Sequence, residues 1–229
     1  FGRNGGGAML SRRHADIPRI AEGEGSASIA DLARRLGVSD DTLRRDLRPL
    51  AGAGTVLRVH GAVGLAGHLG EAPFQRRMRE NAGAKQAVAR AFAASVRDGD
   101  SLMMDTGTTT SFVARELARH RRLTVVTNST DVARLLAPVN GNRVFLAGGE
   151  LRADSGAAFG AAALDFVARF AVRHAVVSAG AVDASGVMDF AFDEAEFARA
   201  VLTRGERRVV VTDATKFGRR GLVAVAGWE

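Results

Sequence analysis

The chain contains no cysteine, which excludes disulfides, zinc fingers, iron–sulfur clusters and thiol catalysis and suits a reducing, cytoplasmic setting. Its five histidines are scattered, with no HExxH or other paired spacing, so no metal site is expected. No apolar run approaches the roughly 18 residues of a membrane span. The most alanine-rich stretch, 156–182, is broken by Asp165, Arg169, Arg173 and His174. The opening FGRNGGGAML lacks the basic-then-apolar pattern of an export signal, and residues 1–8 are expected to lie outside the fold. Neither GxxxxGK followed by Ser or Thr nor GxGxxG occurs, so no nucleotide or other cofactor is expected. There is no internal repeat.

What is present is 229 residues with 46% hydrophobic content, ample for packed cores. The net charge of +7 invites a polyanionic partner, but it is spread thinly: nine arginines against seven acidic residues in 9–66, and 22 basic against 18 acidic in 67–229. Any nucleic-acid reading must therefore rest on where charges sit. Three textures follow one another. Residues 9–66 are expected as a helical unit ending in a strand over Val56–Val63; 67–83 as a linker; 84–229 as an α/β domain. Apolar strands at Ser101–Asp105, Leu123–Thr127, Arg143–Ala147, Ala175–Ala179 and Arg208–Thr212 alternate with helices near 110–119, 130–137, 162–170 and 193–204, the pattern of a parallel sheet.

Within 28–51 the order of residues is helix-turn-helix grammar. Ser28 and Asp31 form a capping pair, and Ile29, Leu32, Ala33 and Leu36 share one helical face. Gly37 permits a left-handed turn, and Ser39 caps a second helix opening with Asp40 and Asp41. On that helix Leu43, Leu47 and Leu50 form one stripe, and Thr42, Arg45 and Arg48 point outward together, as side chains entering a major groove must. Pro49 is expected to bend or stop the helix. An α-hairpin with a solvated arginine face has the same local pattern.

The whole string SIADLARRLGVSDDTLRRDLRPLAGAGTVLRVHGA, however, resembles the winged helix-turn-helix of DeoR-family repressors. That resemblance implies a recognition helix carrying Ser39, Thr42, Arg44 and Arg45, and a wing carrying Arg58 and His60. Gly61-Ala62 stands where the family usually has paired glycines.

In the second domain, LMMDTGTTT is an apolar strand running through a Gly/Thr loop into a helix, an arrangement that offers backbone N–H groups to an anion or serves only as a helix cap. Thr127-Asn128, Gly148-Gly149-Glu150, Gly180 and Asp213 with Lys216 also fall at strand ends, where parallel α/β sheets bind ligands. The strings DGDSLMMDTGTTT, LTVVTNS, VFLAGGELR, FDEAE and VVVTDATKFGRRG resemble the DeoR-family sensor domain, whose fold is similar to ribose 5-phosphate isomerases. That resemblance assigns a phosphate to Lys85, Gly107, Thr108, Thr109 and Lys216, and a polyol end to Asp105, Asn128, Gly149, Glu194 and Asp213. It also implies a further strand and helix where this sequence has Trp228-Glu229.

The function implied is a homo-oligomeric repressor, released from operator DNA by a phosphorylated metabolite. GGELR, LDF and DFAFDE are most similar to the branch that controls glycerol 3-phosphate regulons, which implies glycerol 3-phosphate, with a hexose or pentose phosphate as the alternative. Phe190 and Phe192 would then close the pocket against longer sugars, or else pack in the core. An isomerase-like enzyme with an appended reader, using Asp105, Glu194 or Asp213 as base, and a DNA-bound scaffold with a vestigial pocket are the remaining readings.

Overall fold

In the computed structural model, which describes residues 14, 16–17, 27–52, 56–59, 62–65 and 72–228, the chain divides into two units, 1–72 and 73–229. In the first, strand β1 (Ala27–Ser28) leads into helix α1 (Ile29–Leu36). The Ser28 hydroxyl accepts from the Asp31 amide at 3.0 Å and starts the helix; Gly37, at φ +64°, ends it. A side chain in that left-handed turn would be strained, which is why glycine stands there. Helix α2 (Asp40–Gly52) begins one residue after Ser39, whose hydroxyl accepts from the Thr42 amide at 3.3 Å.

Leu43 and Leu47 of α2 are fully buried against Ile17, Ile29, Leu32, Ala33 and Val56, with Val38 and Leu50 at the margin. Each fully buried aliphatic side chain contributes roughly 1.5–3 kcal/mol, so this small core is enough to set the angle between the helices. Pro49 neither bends α2 out of helical assignment nor ends it. It and Arg45, whose carbonyl loses its donor, are both on the exposed side of the helix. The strand expected over 56–63 is two strands, β2 (Val56–Val59) and β3 (Ala62–Leu65), paired antiparallel with Arg58 opposite Val63; β3 pairs in turn with β1.

The second unit opens with helices α3 (Phe74–Arg79) and α4 (Ala82–Ala93), so residues 73–83, expected within the linker, are mostly helical and belong to this unit. Five parallel strands follow: β4 (Ser101–Met104), β5 (Thr124–Thr127), β6 (Arg143–Leu146), β7 (Val172–Val177) and, after a small antiparallel ribbon, β10 (Gly205–Val210). Their order is β10-β7-β4-β5-β6. Chain order reverses between β4 and β7, the position at which such sheets open a crevice at their carboxyl ends.

Alternation along the strands divides the core in two. Leu102, Met104, Val125 and Val176 face α4, α5 (Thr108–Leu117) and α6 (Thr130–Leu136). Met103, Val126, Ala175 and Val177 face α7 (Ala161–Val167) and α8 (Phe192–Leu202). The ribbon, unforeseen in the sequence, is β8 (Ala181–Asp183) and β9 (Gly186–Asp189) paired with β11 (Val223–Ala226). No described helix is long and apolar enough to cross a membrane.

At the opposite, amino-terminal edge of the sheet the Asp100 carboxylate accepts from the Arg97 amide (2.9 Å) and Arg173 (3.0 Å) and lies 3.0 Å from Nε2 of the fully buried His174. Burial opposes its charge, but the Arg97 and His174 hydrogen bonds and the Arg173 charge outweigh that and hold the carboxyl below its usual range. A depressed carboxyl contributes stability above its ordinary pKa, which is lost as pH falls through the lowered value. Asp100→Asn should therefore lose about 1–3 kcal/mol at neutral pH and show a flatter decline below pH 4 than the parent. Urea unfolding at pH 7 and pH 3 checks both.

Candidate functional site

Two sets of residues concern function, one in each unit. In the first, Arg44, Arg45 and Arg48 are all exposed on α2, opposite the buried Leu43–Leu47 stripe. Arg44 lies 3.8 Å from Asp41, a loose surface pair, and the Ser39 and Thr42 hydroxyls are 2.9 Å apart. Residues 39–48 thus present two hydroxyls and three guanidinium groups on the outer side of α2, a set able to contact phosphates and guanine edges. Arg58 lies on β2, and His60 lies outside the described residues. Asp46, absent from the sequence-derived set, is buried on the inner face of the same helix and has an interaction partner.

In the second unit, β4 delivers Asp105, Thr106 and Gly107 to the switch point. A Cβ on Gly107 would overlap the Ser178 hydroxyl at the end of β7, so only glycine lets the two strand ends approach this closely. The same approach holds Asp105: its Oδ2 accepts from the Ser178 amide at 2.9 Å and from the Ser178 hydroxyl at 3.2 Å. Oδ1 is buried and receives no full hydrogen bond: the Thr110 hydroxyl is close enough to favour the charged carboxylate but donates to the Gly107 carbonyl at 3.0 Å. Burial pushes the Asp105 carboxyl well above the usual carboxylate range, and the negative charge of Asp189 adds to this while the Ser178 amide opposes it. Helix α5 starts at Thr108 with no side chain capping its first amides.

Asn128, in register beside Asp105 through the Met104–Thr127 pairing, is fully buried. Its Nδ2 donates to the Ala158 carbonyl at 2.8 Å, and its Oδ1 is unpartnered. Asp213, after β10, accepts from the Thr215 amide at 3.0 Å with one oxygen and leaves Oδ2 buried and unpartnered. Thr106 Oγ1 is likewise buried and unpartnered. Buried polar atoms are normally satisfied; four that lack a protein partner lie at the carboxyl ends of β4, β5 and β10. Asn128 Oδ1 can only accept, as can a carboxylate oxygen while it is ionised.

Other expected residues stand differently. Lys85 is not a surface lysine: it is buried, and its Nζ donates to the backbone carbonyls of Arg77 and, at 2.9 Å, Glu80. Asn81, one turn earlier, donates to Thr215 Oγ1 at 3.3 Å, which brings the start of α4 to the turn carrying Lys216. Gly149 sits at φ +143° on the loop after β6. Glu194, with Asp193, is held by the Arg152 guanidinium, which also lies 4.5 Å over the Phe159 ring.

Arg152 was missed by sequence reasoning, although it is the arginine of the GGELR string. It lines, with Glu150, Leu151, Phe159, Gly160 and Asp193, a cavity of about 420 Å³. Phe192 does not close that pocket: it is 68% exposed, because the first turn of α8 presents it outward, while Phe190 is half-buried beside Gly180. Asp189 was missed as well; its string was noted for the phenylalanines around it. Among the described residues no group of His, Cys, Asp and Glu is arranged to hold a metal.

The DeoR-like helix-turn-helix domain matches residues 13–67, and the DeoR C terminal sensor domain matches residues 80–229. The chain is 33% identical over 214 residues to the glycerol-3-phosphate regulon repressor of Escherichia coli K12, covering 93% of this chain and 85% of that one. It is 33% identical to the HTH-type transcriptional repressor CsqR of the same organism, over 93% of this chain and 82% of that one. Against the transcriptional repressor AccR of Agrobacterium fabrum it is 30% identical, over 95% and 85%. Among solved structures, ribose 5-phosphate isomerase A from Neisseria gonorrhoeae superposes with a TM-score of 0.44 at 18% identity, over 60% of this chain and 54% of that one. With a matching reader, a matching sensor and full-length relatives that are repressors, this chain belongs to the DeoR family of DNA-binding transcriptional repressors and is a regulator rather than an enzyme.

Proposed function

We propose that this repressor, acting as a homo-oligomer on cytoplasmic DNA, is released from its operator when glycerol 3-phosphate binds at the carboxyl edge of the sensor sheet. The observation that carries the reading is the buried set Asp105 Oδ1, Thr106 Oγ1, Asn128 Oδ1 and Asp213 Oδ2 beside the uncapped start of α5. Acceptors need a ligand rich in donors, which a polyol supplies; free amides at a ten-residue helix start suit a phosphate. Gly107, Thr108 and Thr109 then face the phosphate, and Gly149 and Glu194 border the polyol end.

Lysine usage supports the same place. Lys85 and Lys216 are the only lysines in a chain with thirty arginines. A compact ammonium, where almost every other cation is a planar guanidinium, suits a point-charge contact with phosphate. The choice of glycerol 3-phosphate over a hexose or pentose phosphate draws on the relatives named for that regulon.

Two outcomes follow. Arg45→Ala should weaken sequence-specific operator binding by about 1–3 kcal/mol, the worth of a bidentate contact to guanine; a footprint identical to the parent's from a folded variant would remove Arg45 from the reading set. Lys216→Ala should bind operator normally but require at least about tenfold more glycerol 3-phosphate for release, since a charge-assisted contact contributes roughly 1.5–3 kcal/mol. Titration of the protein–DNA complex measures this. Release of the parent by hexose or pentose phosphates, at concentrations where glycerol 3-phosphate does nothing, would replace the ligand and leave the repressor intact.

A further inference from the structure

The cavity of about 420 Å³ is walled by the loop after β6 and by the start of α8. That loop is firmly built: the Arg152 amide donates to the Ala157 carbonyl at 2.9 Å, the Arg152 carbonyl accepts from the Gly156 amide at 2.8 Å, and Leu151 pairs with Ala158. The Ala158 carbonyl accepts from Asn128, which joins this wall to the buried acceptors. Charge in the wall is unevenly divided. The Arg152 guanidinium binds Asp193 with one terminal nitrogen and Glu194 with the other, over the face of the Phe159 ring. Asp154 adds a third negative charge; both its oxygens accept from the Phe74 amide, at 2.9 and 3.1 Å. Burial opposes the charge on Arg152, but the Asp193 hydrogen bond and the charges of Glu194, Asp193 and Asp154 outweigh it. Glu150 lines the same cavity and is exposed. Arg152 is thus outnumbered by four carboxylates, and both of its terminal nitrogens are engaged. The start of α5, with its uncapped amides, is of the opposite character and favours a negative group.

We propose that the carboxylates gathered on Arg152 make the effector site selective by charge: it takes phosphate monoesters whose other end is uncharged and hydroxylated, and rejects those that end in a second anion. This rests on the effector reading above and adds the class of tail to it. An anionic tail reaching Arg152 meets a guanidinium already bound and carboxylates around it. A hydroxyl brings no charge and can donate to the same carboxylate oxygens. Across the range of effective dielectric found near a protein surface, one excess charge about 6 Å away changes affinity by about threefold or more.

Calorimetric titration of the full-length protein compares racemic glycerol 3-phosphate with racemic 3-phosphoglycerate, which differ only in a terminal CH2OH against a carboxylate. The ratio of the two affinities cancels what any substitution does to the shared phosphate. The parent should bind glycerol 3-phosphate at least about tenfold more tightly. Asp193→Asn removes one carboxylate and keeps the size of the side chain. It should narrow the ratio at least about threefold by binding 3-phosphoglycerate more tightly, a gain that misfolding does not produce. Arg152→Met should widen the ratio, and raising KCl from about 50 to about 500 mM should narrow that of the parent. A parent that binds 3-phosphoglycerate as tightly as glycerol 3-phosphate overturns the charge selectivity and leaves the effector reading standing, as does a ratio that Asp193→Asn leaves unchanged. A parent that binds neither compound removes the effector reading and this inference with it.

Discussion

The close approach of β4 and β7 at Gly107 is the constraint on which the sensor depends. It brings the Ser178 amide and hydroxyl onto one oxygen of Asp105 and leaves the other oxygen buried without a partner. Burial and the neighbouring charge of Asp189 both disfavour the ionised form. A fold selected only for stability would replace such a group, since an unsatisfied buried acceptor costs about 1–3 kcal/mol. Sites that bind ligands keep groups of this kind because the ligand satisfies them. Asn128 and Asp213 repeat the arrangement on either side: in each, one polar atom is fixed by the protein and one acceptor is left over.

From that edge, two connections lead to the beginning of the sensor unit. One runs through the loop after β6 to Asp154 and the Phe74 amide; the other runs through Asn81 and Lys85 to the far end of α3. Both are hydrogen bonds to backbone or loop groups, so they can be exchanged for bonds to a ligand without dismantling the two-sided core.

The reader was legible almost residue by residue, because helix caps and turns are local. Ser28, Gly37, Ser39 and the leucine stripe each act over three or four positions, and each stands where its chemistry requires. The five parallel strands were legible for a similar reason: each is a short apolar run, and their alternation with helices fixes the class. Pro49 misled because its effect depends on whether the abandoned carbonyl can reach water, which a sequence does not state. The ribbon of β8, β9 and β11 escaped because its strands are three or four residues long and β11 reaches β9 across more than thirty residues. Arg152 and Asp154 escaped for the same reason, since their partners lie about forty and eighty positions away. Lys85 was singled out by resemblance alone, and its burial and its grip on α3 are tertiary facts.

Asp105→Asn tests most directly whether the switch-point carboxylate is kept for a ligand rather than for the fold. A carboxyl whose pKa is raised by folding contributes stability below its ordinary value and loses it as pH rises through the folded value. The asparagine variant has no proton to lose, so its melting temperature should rise relative to the parent's as pH increases above the ordinary carboxylate range, by about 2–4 °C for each kcal/mol recovered. Over the same range it should bind operator like the parent and fail to release it on addition of glycerol 3-phosphate. A variant that melts lower than the parent throughout, and still releases DNA at the parent's ligand concentration, would show that Asp105 serves the fold alone.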